Sequence, residues 1–539
     1  MTGFLEDASF NQSPAFGDVD LFSADTPLRE AAARCGLELA TLAACGKDYG
    51  SAETLDLGRV ANENPPKLKT MDGRGNRIDF VEFHPAYHAV LGKSIGWGIH
   101  GVAHDGREPA SPLASHAVRL YLATQPESGH LCPITMTHAS IGALRAAPDL
   151  LKAWQPKIVS RDYDPRPLPW WEKRGVTIGM GMTERQGGTD VRANITEATP
   201  HGDHVEISGH KWFMSAPMCD AFLVLAQARN GKEGGLSCYL MPRFRPDGSH
   251  NAIRFQRLKD KLGNKSNASS EVEFHGAWAE PVGAEGAGVR TIIEMVNLTR
   301  IDCAIASAGQ MRFGLSQALN HIRNRSVFQR RLADQPSMRA VVADIALELE
   351  AQVALVFRLV RAHDTGDTAY TRLLTPAVKY LVCKSTPHAV YESLECLGGN
   401  GYTEDLPMAR LYREAPLNAI WEGSGNVMAL DVLRAAGRAP DATMETVGAL
   451  VRTAGQAFDV RPLAVALEKT LKSPDAERRA RFLCEGLARL AALAALAEAD
   501  SPFATLYGDV RLTGFHFSQF GAADLGASDS ALMDRALAS

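Results

Sequence analysis

Four short stretches of the chain hold residues whose types and spacing can do chemistry. Thr183-Glu184-Arg185-Gln186-Gly187-Gly188-Thr189-Asp190 follows an apolar run. Its glycines let backbone N–H groups come close to a ligand, and Thr183 and Thr189 add hydroxyls. Lys211-Trp212-Phe213-Met214-Ser215-Ala216 is an aromatic pair followed by a hydroxyl. That pattern suits a flat heteroaromatic ring, stacked on its face and bonded at its edge. Leu397-Gly398-Gly399-Asn400-Gly401-Tyr402 stops a helix. Ile420-Trp421-Glu422-Gly423-Ser424-Gly425-Asn426 places one carboxylate between Trp and Gly, before a helix that Ser424 or Asn426 can cap. An apolar setting raises a Glu carboxyl from about 4.3 toward the ~6–7 useful to a general base.

Taken singly, each stretch also has a plain reading. These are a wide hairpin loop, a barrel strand with core aromatics, a helix C-cap, and a Glu serving a helix dipole. Gly179-Met180-Gly181-Met182 lacks the third glycine of a dinucleotide loop and has no βαβ unit around it, so a Rossmann reading fails.

The elements that must position these stretches change in texture along the chain. Up to about residue 175 the sequence reads as mostly helical, with apolar residues at helical spacing over 26–46, 87–104, 112–126 and 129–145. The proline-rich 161–171 marks a boundary. From Val176 to about Val282 short β-branched runs alternate with turns, His201-Gly202-Asp203 among them, which predicts a small barrel or sandwich. Long helices return over 289–325, 336–365, 376–397 and 426–436, the third opened by Thr375-Pro376 and kinked or ended early by Pro387.

At 539 residues the chain divides into three or four domains. The boundaries are placed at 1–177 (helical), 178–286 (β), 287–440 (helical bundle) and 441–539 (further helices). Its formal charge of −5 gives no global positive field for a polyanion. Nine scattered cysteines without CxxC read as reduced thiols in a cytoplasmic protein. No metal-ligand spacing, secretory signal or membrane-length apolar run is found, so no metal and no membrane partner are expected.

Together the four stretches occur in the order and spacing of one family. From about residue 130 to 437 the chain resembles the acyl-CoA dehydrogenases. TERQGGTD looks like that family's TEPxAGSD loop, and KWFMS like its K-x-W-I-T strand. GAEGAG at 283–288 is similar to its glycine-rich exit from the β domain, and Arg325-Ser326-Val327-Phe328-Gln329 to its R-x-x-F-G turn. LGGNGYTED, Arg413 and IWEGSGN are similar to its C-terminal signature. The resemblance implies an α+β chain with the acyl-CoA dehydrogenase fold: an N-terminal helical domain, a central small β-barrel and a C-terminal four-helix bundle, here with an extra C-terminal helical domain.

It further implies bound FAD. Met182, Thr183, Gly188 and Thr189 would line its ring and pyrophosphate, and Phe213 and Ser215 would pack on and bond the flavin. Arg325 and Phe328 would hold the FAD of a neighbouring subunit, while Gly398, Gly399, Ser424 and Asn426 complete the pocket. Glu422 matches the catalytic base that removes the α-proton of an acyl-CoA. The sequence departs from the family with Arg185 for Pro, Phe213 for Trp, Trp421 for Tyr and Asn426 for Gln, and Trp421 would narrow the acyl channel.

The enlarged N-terminal portion and the C-terminal addition resemble the branch of the family tied to the bacterial adaptive response to alkylation. That likeness implies a homotetramer that binds double-stranded DNA without sequence specificity, protects it from alkylation and has at most weak dehydrogenase activity. The alternative is an active dehydrogenase of fatty-acid or branched-chain catabolism using Glu422. Residues 441–539 carry 10 Lys+Arg against 13 Asp+Glu, which opposes a DNA-binding domain on composition. A helix opening at Ser473-Pro474 is expected to set Leu483, Leu487, Leu490, Ala494 and Ala497 on one face and Arg478, Arg481 and Arg489 on the other. With Arg434, Arg438 and Arg452 these are the candidate phosphate contacts.

Overall fold

The computed structural model describes residues 10–108, 110–229, 234–513 and 528–536. Helices α1 (Thr26–Arg34), α2 (Leu39–Tyr49) and α3 (Ala52–Glu63) precede a hairpin of β1 (Lys67–Met71) and β2 (Arg77–Glu82). Then come α4 (Pro85–Gly96), α5 (Pro112–Ala123), α6 (Leu131–Leu144) and α7 (Pro148–Ile158). Strands β3 (Ile178–Gly181), β4 (Glu197–His201), β5 (His204–Ser215), β6 (Ala221–Ala228), β7 (Leu236–Pro242), β8 (Ile253–Leu258) and β9 (Ser269–Val282) follow. The long α8 (Gly288–Asn324) leads to a two-residue hairpin, β10 (Ser326–Val327) and β11 (Arg330–Arg331). Next are α9 (Pro336–Asp364), α10 (Thr368–Glu395), α11 (Gly399–Tyr402), α12 (Met408–Glu414) and α13 (Gly425–Arg438). The chain closes with α14 (Pro440–Ala454), α15 (Arg461–Leu471), α16 (Ala480–Glu498), α17 (Ala504–Leu512) and α18 (Ser528–Ala536).

These elements form two compact units that interleave along the chain. One comprises residues up to Leu55, Leu113–Gln125, and everything from Cys303; the other comprises Asp56–Pro112 and Pro126–Asp302. In the second unit seven strands make one sheet in the order β3-β6-β4-β5-β9-β7, with β8 on β9. The added β6–β7 pairing closes the path, so of the two expected β architectures this is the barrel. His201-Gly202-Asp203 is the β4–β5 turn, with Gly202 at φ +68°. β6 and β7 are buried nearly throughout, as strands covered on both faces must be.

In the first unit α9, α10, α13 and α16 pack on one another around a core of Val, Leu and Ala. Acidic residues of α9 anchor the C-terminal helices. Arg511 donates to Asp344 Oδ1 (2.6 Å) and Glu348 Oε2 (2.8 Å), and Arg535 to Glu350 (2.6 Å) and to Glu30 of α1 (2.7 Å). All nine cysteines are buried thiols outside any disulfide, and a buried thiol packs as a small apolar group.

Several sequence expectations need correction. The 26–46 segment is two helices, broken where Gly36 takes φ +71°. The β1–β2 hairpin lies inside the supposedly all-helical region; β1 buries neither face, so it carries no apolar alternation to read. Helix α10 begins eight residues before Pro376, capped by the Asp367 carboxylate, and runs through both Pro376 and Pro387. Each proline costs about 3 kcal/mol in a helix interior, but α10 is buried along most of its length and packing prevails. Ser473-Pro474 does not open α16, which starts at Ala480 after a 3₁₀ turn. From Leu483 to Leu496 that helix is buried almost all round, so it has no solvated face opposite the apolar stripe.

Candidate active site

The β unit carries one group of the candidate residues. The loop 183–190 leaves the end of β3 and is drawn against β5, where the Trp212 backbone N–H donates to Thr183 O at 2.9 Å. Phe213 is 51% exposed, an uncovered aromatic of a kind a barrel core would hide. Beside it Ser215 exchanges a hydroxyl hydrogen bond with Ser269 (3.2 Å), and Met182 O accepts from Asn194 (3.0 Å). The Lys259 ammonium lies 3.5 Å from the Trp212 ring centroid and 4.7 Å from that of Phe213. A Cβ at Gly188 would meet Thr183 Cγ2 at 3.0 Å, so a larger residue here would have to shift the Thr183 side chain.

What sets the loop is a residue pair that the motif reading passed over. Glu184 is fully buried with Lys211, Oε1 to Nζ at 2.8 Å, and also accepts from the Ile195 and Thr196 backbone N–H groups (2.8 and 3.2 Å). Burial works against its anion, yet Lys211 and these donors hold the carboxyl well below the usual carboxylate range.

The helical unit supplies the carboxylate. Glu422 sits in the turn before α13 at φ +58°, followed by Gly423 at φ +105°. A glutamate held left-handed is uncommon and marks a constrained position. Trp421 Nε1 donates to Asn418 Oδ1 (2.8 Å), and Asn418 donates to Ser307 (3.0 Å). The Lys379 ammonium donates to Trp421 O (2.7 Å) and Gly423 O (2.5 Å), a contact that no motif announced. Ser424 occupies the N-cap without a side-chain cap bond, and Asn426 Oδ1 accepts instead from Arg481 Nε at 2.7 Å. Gly398, at φ +60°, and Gly399 are exposed at the start of α11.

Comparison with known proteins adds identity to this geometry. The AidB N-terminal domain model matches residues 11–165, the acyl-CoA dehydrogenase middle domain 179–277 and its C-terminal domain 286–437. AidB of Escherichia coli (strain K12) is 47% identical over 433 residues, 79% of this chain and 79% of its own. The chain belongs to the acyl-CoA dehydrogenase family, in its AidB branch.

Among solved structures, Caenorhabditis elegans ACDH-11, determined in complex with C11-CoA, is similar at 25% identity and TM-score 0.84, covering 100% of this chain and 93% of that one. Bd2924, determined in its apo form, is similar at 29% identity and TM-score 0.82, covering 90% and 99%. FAD is the cofactor of the acyl-CoA dehydrogenases. The residues present fit it: an uncovered Phe213 beside the Ser215 hydroxyl suits the ring, and the Thr183 and Thr189 hydroxyls with the glycine backbone suit a pyrophosphate. No helix among the described residues is long and apolar enough to cross a membrane.

The other AidB-type residues are placed as follows. Phe328 stands 88% exposed at the tip of the β10–β11 hairpin at φ +54°, while Arg325 turns back to donate to Asn11 O (2.5 Å). Arg434, Arg438, Arg452, Arg478 and Arg481 are exposed. Arg489 is not: its Nε donates to Glu485 (3.0 Å), and its guanidinium lies 3.9 Å from the buried Glu348. It belongs to the attachment of the C-terminal helices, because α16 has no solvated face to carry it.

Proposed function

We propose that this AidB-family chain is an FAD flavoprotein that keeps acyl-CoA dehydrogenase machinery at low turnover. Glu422 is the base that accepts the α-proton of an acyl thioester. Bound FAD supplies the hydride acceptor. By the family's pattern, the residues to hold FAD are Met182, Thr183, Gly188, Thr189, Phe213, Ser215, Gly398, Gly399, Ser424 and Asn426; Arg325 and Phe328 would reach the FAD of a neighbouring copy in a tetramer. The observation that carries this reading is the left-handed Glu422, with a pinned carbonyl on either side. The backbone is spent on presenting one carboxylate. Trp421, hydrogen-bonded in place beside it, narrows the approach of the acyl chain and keeps turnover low.

The test is an anaerobic titration of the purified yellow protein with acyl-CoAs of graded chain length, followed by flavin absorbance. Slow bleaching by at least one acyl-CoA, lost in Glu422→Gln while FAD stays bound, is the expected result. Rapid bleaching would return the chain to a metabolic dehydrogenase. Unchanged bleaching in Glu422→Gln would place the base elsewhere.

A second reading rests on a separate observation. Helix α13 packs against α16 and the 3₁₀ turn before it, which gathers Arg434, Arg438, Arg478 and Arg481 on neighbouring elements of one unit. We infer that this edge meets the phosphates of double-stranded DNA without reading bases, and that the protein protects DNA from alkylation in this way. Wild-type protein that binds no duplex at low salt would end this reading.

A further inference from the structure

Lys379 stands in the middle of α10 at 1% exposure, within a run, Thr375 to Cys383, that is buried without interruption. A buried ammonium is costly unless acceptors surround it. Here two acceptors are the carbonyls of Trp421 and Gly423, at 2.7 and 2.5 Å. They belong to the residues on either side of Glu422, so one side chain ties both ends of the left-handed pair. The tie also comes from a different element: α10 is a long buried helix, whereas the turn lies between a 3₁₀ segment at Leu417–Ala419 and α13.

We propose that Lys379 is a positioning residue that staples the 421–423 turn in the conformation presenting Glu422. The proposal rests on the reading of Glu422 as the base. Without the ammonium the turn loses what opposes its backbone strain. Arg372 of α10 donates to both carboxylate oxygens of Asp431 in α13 (3.2 and 3.0 Å), so the helix packing survives loss of the staple.

The experiment compares FAD-loaded wild type with Lys379→Met, which keeps the stem and removes the donors. Hydrogen exchange of the Ile420, Trp421 and Met428 amides should quicken by about tenfold or more, with the β-unit amides unchanged, since a lost charged hydrogen bond corresponds to about a factor of ten. The bleaching rate at saturating acyl-CoA should fall while the acyl-CoA concentration for half-maximal rate stays that of wild type, because the turn positions the base and not the thioester. Wild-type exchange at these amides would overturn the staple, and an unchanged saturated bleaching rate would overturn its role in presenting Glu422. Should Lys379→Met fail to fold, Lys379→Gln, a neutral donor one bond shorter, carries the same two comparisons. The exchange result needs no turnover. If Glu422→Gln bleached like wild type, the base reading would fail, whereas a failure confined to Lys379→Met would leave that reading intact.

Discussion

Replacing Glu184 by alanine should damage the 183–190 loop through a residue whose own side chain is wholly buried. In wild type its carboxylate meets Lys211 Nζ at 2.8 Å and two backbone N–H groups, with both side chains fully buried. Alanine would strand the Lys211 ammonium, leaving it the Leu225 carbonyl at 2.8 Å. Breaking a buried pair in this way costs about 3–5 kcal/mol. For a unit of this size each kcal/mol lowers the melting temperature by about 2–4 °C, so a fall of about 6–20 °C is expected. FAD content should fall as well, because the pair anchors the loop that carries Thr183, Gly188 and Thr189. The assay is a thermal scan at one fixed rate, with flavin and intrinsic fluorescence followed together. Glu184→Gln combined with Lys211→Met should be more stable than Glu184→Gln alone, since the second change removes the unpaired charge that the first creates. A fall below about 3 °C in Glu184→Ala, or strict additivity in the double variant, would refute the reasoning.

Three further outcomes are expected. Burial opposes the Glu348 anion, but Arg511 and Arg489 bring its carboxyl down to about 2; a depressed carboxyl contributes stability that is complete above the unfolded value of about 4.3 and lost as pH falls toward 2. Proteolysis of the C-terminal helices should therefore stay slow at pH 5 and quicken below about 4, and a protease resistance unchanged down to pH 2 would exclude this pair as their anchor. Trp421→Tyr should raise the acyl-CoA bleaching rate by about tenfold or more by opening the approach to Glu422; an unaltered rate in stopped flow would clear Trp421 of limiting it. Arg438→Glu with Arg478→Glu should flatten the log–log salt dependence of duplex binding by about 2, at about 0.9 per phosphate contact, with FAD content and assembly mass retained, and a full wild-type slope would remove this edge from the DNA site.

The barrel was legible because its strands are short, β-branched and punctuated by turns such as His201-Gly202-Asp203. The chemistry-bearing stretches were legible because a loop that approaches a ligand needs particular residue types locally. What sequence could not carry was the support behind them. Glu184 finds Lys211 27 positions away, and Lys379 finds Gly423 44 positions away, so neither pairing has a local period. Pro376 and Pro387 misled for a related reason: local propensity argues against a helix that burial then enforces. Arg489 looked solvated on a helical wheel, because a wheel does not record that α16 is covered on several sides by α9, α10, α13 and α14.

The interleaving of the two units bears on the order in which a ribosome delivers them. The unit holding α1 is completed only by segments from Cys303 onward, and its Glu30 meets Arg535, 505 positions later. At about 5–20 residues added per second, α1 emerges some 25–100 s before its last ion-pair partner exists. The barrel unit, ending at Asp302, has all its strands in hand much earlier. During synthesis α1 therefore waits with its apolar face, Leu28, Ala31 and Ala32, open to chaperones, while the barrel can already be folding behind it.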